Sequence, residues 1–457
     1  MTTVTVQSPN SPFVKHRLGG WMPSDSQHWR KWLKDTVNHV RQYHKKERAE
    51  LHKSIQALWL LIESNTKLRM LFNMMLEQVP THPPYNKNPA DGPEFKNWQE
   101  MLLTFDWQLT QGPLWLYNTA GEQGLIGFPF NAFLDWPMGT PAGIFAFLRK
   151  DVNRYLRDML VEYGDFLKSN ASTKVLNKNS EGWFSDQALN AMVNVASPGA
   201  ASKTSFFDIF QCDPNHPTFG FSSWDDFFIR KFKDNVRPIY RPNDDKYITN
   251  CCESGPHANV KSTGIRDEFW LKGQPYSLED MLGSADDAKP FVGGTIYQAF
   301  LSALSYHCWH APVSGTVKKI VNIPGSYYAE NYWEGFANVG PDGKPDPDPS
   351  APNNSQSYIC QIAARSVMFL EADNANIGLM VIVVVGMAEV STTEWYFKEG
   401  QHFSKGDLIG AFHFGGSTHC LIFRPSVKLD FIPEALSPFS ETENNLAVRS
   451  LLATVMN

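Results

Sequence analysis

The sequence predicts an α+β protein, with a mostly helical N-terminal domain followed by an antiparallel β-rich domain. Three observations predict it. Up to about residue 200, apolar residues recur at three- and four-residue steps, the spacing of one helix face. After that point, short β-prone runs alternate with turn residues, and the spacing between them is short, which predicts antiparallel pairing. The chain of 457 residues, 42% apolar and 13% aromatic, is also long enough for two or three domains with a sizeable core. The expected division is a tail over 1–20, a helical domain over 21–200 and a β-rich domain over 201–457.

Taken in order, Trp29, Trp32, Leu33, Val37 and Val40 mark a helical stripe that "SIQALWLLIESNTKLRMLFNMMLEQV" continues to Val79. "PTHPPYNKNPADGP" is a Pro/Asn loop over 80–93. Helices are expected again at "EFKNWQEMLLTF" and at "AGIFAFLRKDVNRYLRDMLVEYGDFLKSN". In the second half "GTVKKIVNI", "SVMFLEA", "LMVIVVVGM" and "HCLIFRP" read as strands. The aliphatic run "IGLMVIVVVGM" is too short to span a bilayer and reads as a buried strand. "VGPDGKPDPDPSAPNNS", over 339–355, reads as a surface loop.

Composition excludes several classes of function. Net charge is −6 with no dense basic run, which argues against nucleic-acid binding. The N-terminal residues have no apolar signal-peptide core, so a cytoplasmic location away from membranes is expected. The six cysteines form no CxxC pair, and reduced thiols are the simplest reading.

Three patches hold chemistry-bearing residues. "SYHCWHAPVSG" places His307 and His310 three residues apart, without the glutamate and third ligand of a zinc site. "CCESGP" sets Glu253 among small residues, where it is either a turn carboxylate or the orienting partner of a histidine. "FHFGGSTHC" presents Gly415, Gly416, Ser417 and Thr418 between two histidines. It lacks the second glycine of a Gly-x-Ser-x-Gly elbow, and a strand rather than a helix follows. It is not a phosphate-binding loop either, because no Gly-Lys-Ser/Thr follows. Asp342, Asp346 and Asp348 in the acidic loop are weak Ca²⁺ candidates without EF-hand spacing.

Read together, four segments resemble the phosphatidylserine decarboxylase family in the family's order. They are "FSSWDDFFIRKFKDNVRPI", "LKGQPYSLEDML", "YHCWHAPVSGTV" and "KGDLIGAFHFGGST". Cys308 stands where the family has arginine, and Glu253 stands where it has aspartate, one methylene shorter. The helical half, which holds "NSEGWFSDQALNAM", and the later segment "NCCES" are similar to the fungal branch of the family that decarboxylates free aromatic amino acids. The resemblance implies a covalent pyruvoyl cofactor made from Ser417. Serinolysis between Gly416 and Ser417 would release a β-chain of 1–416 and an α-chain of 417–457. It further implies His310 as the base in that cleavage, Glu253 as its orienting carboxylate and His307 as the acid in decarboxylation. The implied reaction is L-tryptophan to tryptamine. The implied partner is a small aromatic amino acid, with no nucleic acid and no membrane; a homodimer is compatible with it. The alternatives are decarboxylation of phosphatidylserine and a binding protein that keeps the fold but never processes itself.

Overall fold

The computed structural model describes residues 26–46, 50–81, 95–117, 123–197, 204–266, 276–302, 304–330, 355–389, 392–414, 417–436 and 445–456. The N-terminal half contains α1 (Ser26–Lys46), α2 (Lys53–Ser64), α3 (Thr66–Thr81), α4 (Trp98–Gln108), α5 (Pro129–Gly139), α6 (Pro141–Phe147), α7 (Lys150–Leu167) and α8 (Asp186–Ala196). The stripe read as continuous to Val79 is thus divided. Asn65 breaks it with an extended backbone (φ −113°, ψ 105°), and its side chain accepts the Leu68 N–H at the start of α3. On α7, Val152, Leu156, Met159, Leu160, Tyr163 and Leu167 are buried along one face, the 3.6-residue pattern that the sequence shows.

Two features of this half were not legible. A hairpin, β1 (Leu114–Tyr117) with β2 (Gln123–Ile126), interrupts the helices. Every residue of α5 is buried, so its sequence has no polar face and no amphipathic contrast to detect. Pro129 opens that helix, where its missing N–H costs nothing.

The second half begins with two short helices, α9 (Phe206–Ile209) and α10 (Trp224–Phe228). Strands follow: β3 (Tyr247–Thr249), β4 (Gly255–Lys261), β5 (Thr295–Leu301), β6 (Cys308–His310), β7 (Gly315–Ile323), β8 (Arg365–Ala372), β9 (Leu379–Gly386), β10 (Thr392–Trp395), β11 (His402–Phe403), β12 (Leu408–His413), β13 (Ser417–Phe423), β14 (Leu429–Phe431) and β15 (Leu451–Val455). The main sheet has seven strands in the order β11-β7-β8-β9-β13-β5-β4, and every pairing in it is antiparallel. Two three-stranded sheets, β10-β12-β6 and β14-β15-β3, accompany it. The expected strands appear as β7, β8, β9 and β13. Along β9 every residue from Met380 to Gly386 is buried, which accounts for its unbroken apolar run.

The two halves share one continuous apolar core. They are also joined by a hydrogen-bonded cap. Glu389, three residues beyond β9, accepts the N–H groups of Phe130 (2.6 Å) and Asn131 (3.1 Å) at the start of α5. No helix among the described residues is long and apolar enough to cross a membrane. All six cysteines are unpaired.

Candidate active site

Ser417 opens β13, one of the inner strands of the main sheet. Its cross-strand neighbours are Gly386 on β9 and Leu301 on β5. The register then runs unbroken to Phe423 on both sides. The preceding strand, β12, belongs to a different sheet, so residues 414–417 carry the chain from one sheet to the other. Gly416 itself lies outside the described residues, as do Asp342, Asp346 and Asp348. Among the described residues, no group of three or more His, Cys, Asp or Glu side chains is placed to hold a metal ion.

The residue after Ser417 is tied down from the side. The Thr418 hydroxyl donates to the carbonyl of Ala299 (2.9 Å) and accepts from the Gln298 amide (3.0 Å). The Gln298 carbonyl accepts from Tyr276, whose oxygen accepts from Ser357 (2.9 Å), and Ser357 meets His257 at 3.2 Å. Burial depresses His257 to about 4, so this chain ends on a neutral imidazole.

His307 is fully buried on the turn that leads into β6. Its Nδ1 donates to the Ser305 carbonyl at 2.9 Å, a tautomer that makes Nε2 the basic atom. The ring stacks on Phe228 at 4.2 Å, and the His307 carbonyl accepts the N–H of Phe412. The turn has its own prop. Arg230, also buried, donates to the Leu304 carbonyl at 2.7 Å and stacks its guanidinium 4.6 Å from the Phe210 ring. Burial pulls that guanidinium down to about 10, and it still carries its charge at neutral pH. Ser305 is held from Asn445 at 3.0 Å.

His310 faces a different way. Its Nε2 accepts from the Tyr306 hydroxyl (3.0 Å), and its Nδ1 and the Nε of Arg449 both converge on the Gly406 carbonyl (3.0 and 2.9 Å). Burial, and then the nearby Arg449 charge, hold His310 down to about 3, against the pull of the Gly406 bond. At neutral pH it is an uncharged base. It borders a cavity of about 550 Å³ shared with Phe232, Arg237, Tyr306 and Arg449.

The expected direct Glu253–His310 pair does not form. Glu253 is instead held by Arg237, one contact being at 3.0 Å, and by the Val448 N–H at 2.8 Å. A buried carboxylate takes the strongest donor in reach, and the "RPI" arginine sits beside it. The two residues remain linked, because Glu253 binds Val448 and His310 lies 3.1 Å from Arg449, the next residue. Nothing in the sequence around Glu253 announces Arg237 or the 446–449 segment as its partners.

Four residues at this site were not assigned from sequence, although three of them flank the glycines in plain view. His413 is held between Asp225 (2.9 Å) and Glu394 (3.0 Å). Burial opposes its charge, but the two carboxylates prevail and raise its pKa. His419 is fully buried, and burial lowers it to about 3, with its ring 6.1 Å from that of Tyr297. Glu389 is 3% exposed and burial pushes it up to about 8; its Oε2 has no hydrogen-bond partner. Phe414 has a left-handed backbone at φ +56°. His413, Phe414, Asp225 and Glu389 border one small cavity of about 80 Å³.

Two family descriptions of phosphatidylserine decarboxylase match this chain, one over residues 52–192 and the other over 224–438. The L-tryptophan decarboxylase of Psilocybe cubensis is 34% identical over 416 residues, covering 88% of this chain and 87% of that protein. The chain belongs to the phosphatidylserine decarboxylase family. Within that family, the decarboxylase iboD of Amanita muscaria is 39% identical over 308 residues, covering 67% of this chain and 86% of its own. Phosphatidylserine decarboxylase proenzyme 3 of Schizosaccharomyces pombe is 29% identical over 222 residues, covering 49% of this chain and 21% of that one. The protein is a decarboxylase, a carboxy-lyase. The match to the Psilocybe protein takes in the helical half as well as the sheets, whereas that to the yeast proenzyme spans only about half the chain.

Proposed function

We propose that this decarboxylase converts aromatic L-amino acids, L-tryptophan foremost, to their amines, after cutting its own chain between Gly416 and Ser417. The observation that carries the substrate is the match over both halves of the chain to a protein named L-tryptophan decarboxylase. The register of β13 supports the cleavage. It pins residue 417 from both sides at the point where the chain passes between sheets.

In this reading the Ser417 hydroxyl adds to the Gly416 carbonyl, and the peptide becomes an ester. His310, an uncharged base, takes the hydroxyl proton. Glu253 orients it through the Val448–Arg449 backbone rather than by direct contact. Loss of the Ser417 α-proton expels the Gly416 carboxylate. The dehydrated residue 417 then takes up water and releases ammonia, leaving a pyruvoyl group at the start of a chain of 457 − 416 = 41 residues.

The surroundings fit such a group. The paired strands hold the new chain end, Thr418 anchors it to β5, and the neighbour on β9 is a glycine with no side chain to intrude. When present, a pyruvoyl group serves as an electron sink for the carbon that loses CO₂. The protein supplies the proton that replaces it, and His307 is the assigned donor. An enzyme of this kind acts on a small substrate in the cytoplasm.

A substrate panel tests this reading. CO₂ release is measured from tryptophan, tyrosine, phenylalanine and phosphatidylserine vesicles. Activity on the free aromatic acids is expected, and activity on the lipid alone would overturn the assignment. Ser417→Ala is expected to remain at full length without activity.

A further inference from the structure

We infer that the helical half serves self-processing, by supplying Phe128 and Tyr163 to an aromatic box that grips Phe414 and so sets the direction in which the chain enters the two glycines ahead of Ser417. The inference rests on the proposed cleavage at that bond.

Phe414 is 3% exposed and lies in the left-handed region at φ +56°, where a residue with a β-carbon is strained. Strain of this kind persists only where the surroundings over-determine it. Four rings surround Phe414. Trp224 lies at 4.7 Å and 85°, Tyr163 at 5.3 Å and 76°, Phe128 at 5.9 Å and Phe228 at 6.2 Å. Near-perpendicular contacts of this sort are the favoured aromatic geometry.

The box walls are themselves fixed. The Tyr163 hydroxyl donates to the Gln111 carbonyl at 3.0 Å, and the Trp224 backbone N–H donates to the Ser172 hydroxyl at 2.8 Å. Phe128 precedes α5, whose first N–H groups are capped by Glu389. One residue before Phe414, His413 is clamped by Asp225 and Glu394. Beyond the glycines, Ser417 is fixed by its register on β5 and β9. The glycines therefore join two ends, one held by rings from both halves and one by the sheet. Phe228 also stacks on His307, so the same box sets the position of the acid assigned above.

Phe414 and Tyr163 are positioning residues here. The test follows appearance of the 41-residue fragment during timed cell-free synthesis of the full chain, with the melting temperature of each purified product measured alongside. Phe414→Ala and Tyr163→Leu are expected to slow cleavage at least tenfold at a temperature where both remain folded. Tyr163→Phe keeps the ring and loses only the Gln111 bond, and it should cleave within twofold of wild type. If Phe414→Ala does not fold, Tyr163→Leu against Tyr163→Phe decides alone. If the wild-type chain is cut and both ring-removing variants are cut as fast, the inference falls and the cleavage reading stands. If the wild-type chain stays whole, the cleavage reading fails and takes the inference with it.

Discussion

Glu389 shows how a single side chain can report on the junction between the halves. Burial raises its carboxyl to about 8, against the opposing pull of the Asn131, Glu389 and Phe130 N–H groups. The ordinary value is 4.5, so between about pH 4.5 and 8 the folded protein holds a proton that the unfolded chain has lost. The associated stability is fully present below the ordinary value and is lost as pH rises through the folded one, by up to about 1.4 kcal/mol per pH unit. Glu389→Gln keeps an oxygen for the α5 cap but does not titrate. It is expected to flatten this loss when urea midpoints are compared at pH 5 and pH 8; equal slopes in variant and wild type would contradict the buried-acid description. A second residue-scale prediction concerns Arg237 and Glu253, which are 11% and 3% exposed at their side chains. Arg237→Ala leaves a buried carboxylate without its cation and should cost about 3–5 kcal/mol in denaturant unfolding. The sequence marked Glu253, His307, His310 and Ser417. It could not mark the partners, because Arg237 lies 16 residues from Glu253 and Val448 lies 195 away.

At the level of elements, β13 would be the first strand of the small chain after cleavage, yet it is paired on both sides by strands of the large one. β15 likewise pairs with β3, and Ser254 bridges to Leu446. The two chains should therefore elute together under native conditions and separate only in denaturant. Separation by native size exclusion would count against this register. Leu421, buried at 0% exposure in the middle of β13, should lose about 2–5 kcal/mol on change to Ala. The main strands were legible because β-branched runs bounded by turns leave a two-fold or unbroken apolar signal. The all-buried α5 was not, since it has no solvent face, and β1 and β2 are only four residues each, too short for a clear period. The aromatic box was hidden for another reason. Its rings come from positions 128, 163, 224, 228 and 414, and only the fold brings them together.

Across the whole molecule, three histidines with lowered pKa values, two buried and one half-buried, drive the response to acid. Burial lowers His257 to about 4 and His419 to about 3; burial together with Arg449 lowers His310 to about 3. A folded pKa below the ordinary 6.5 means stability is present above 6.5 and lost as pH falls towards those values. Each histidine contributes up to about 1.4 kcal/mol per pH unit, so the three together weaken the fold steeply below pH 6. Glu389 and His413, both raised, act in the opposite direction over their own ranges, and these two groups do not offset three imidazoles. Circular dichroism during acid titration should show cooperative loss of structure well before ordinary carboxylates are protonated, whereas stability unchanged from pH 7 to pH 5 would contradict the burial described.

The central claim is that this decarboxylase makes its reactive group by breaking its own backbone ahead of Ser417. Intact-mass analysis of the denatured, active enzyme tests it most directly. The account predicts two species, a chain of residues 1–416 and a 41-residue chain whose first residue is a pyruvoyl group lacking an amine. A fully active preparation consisting of one uncut chain of 457 residues, with serine intact at position 417, would contradict it.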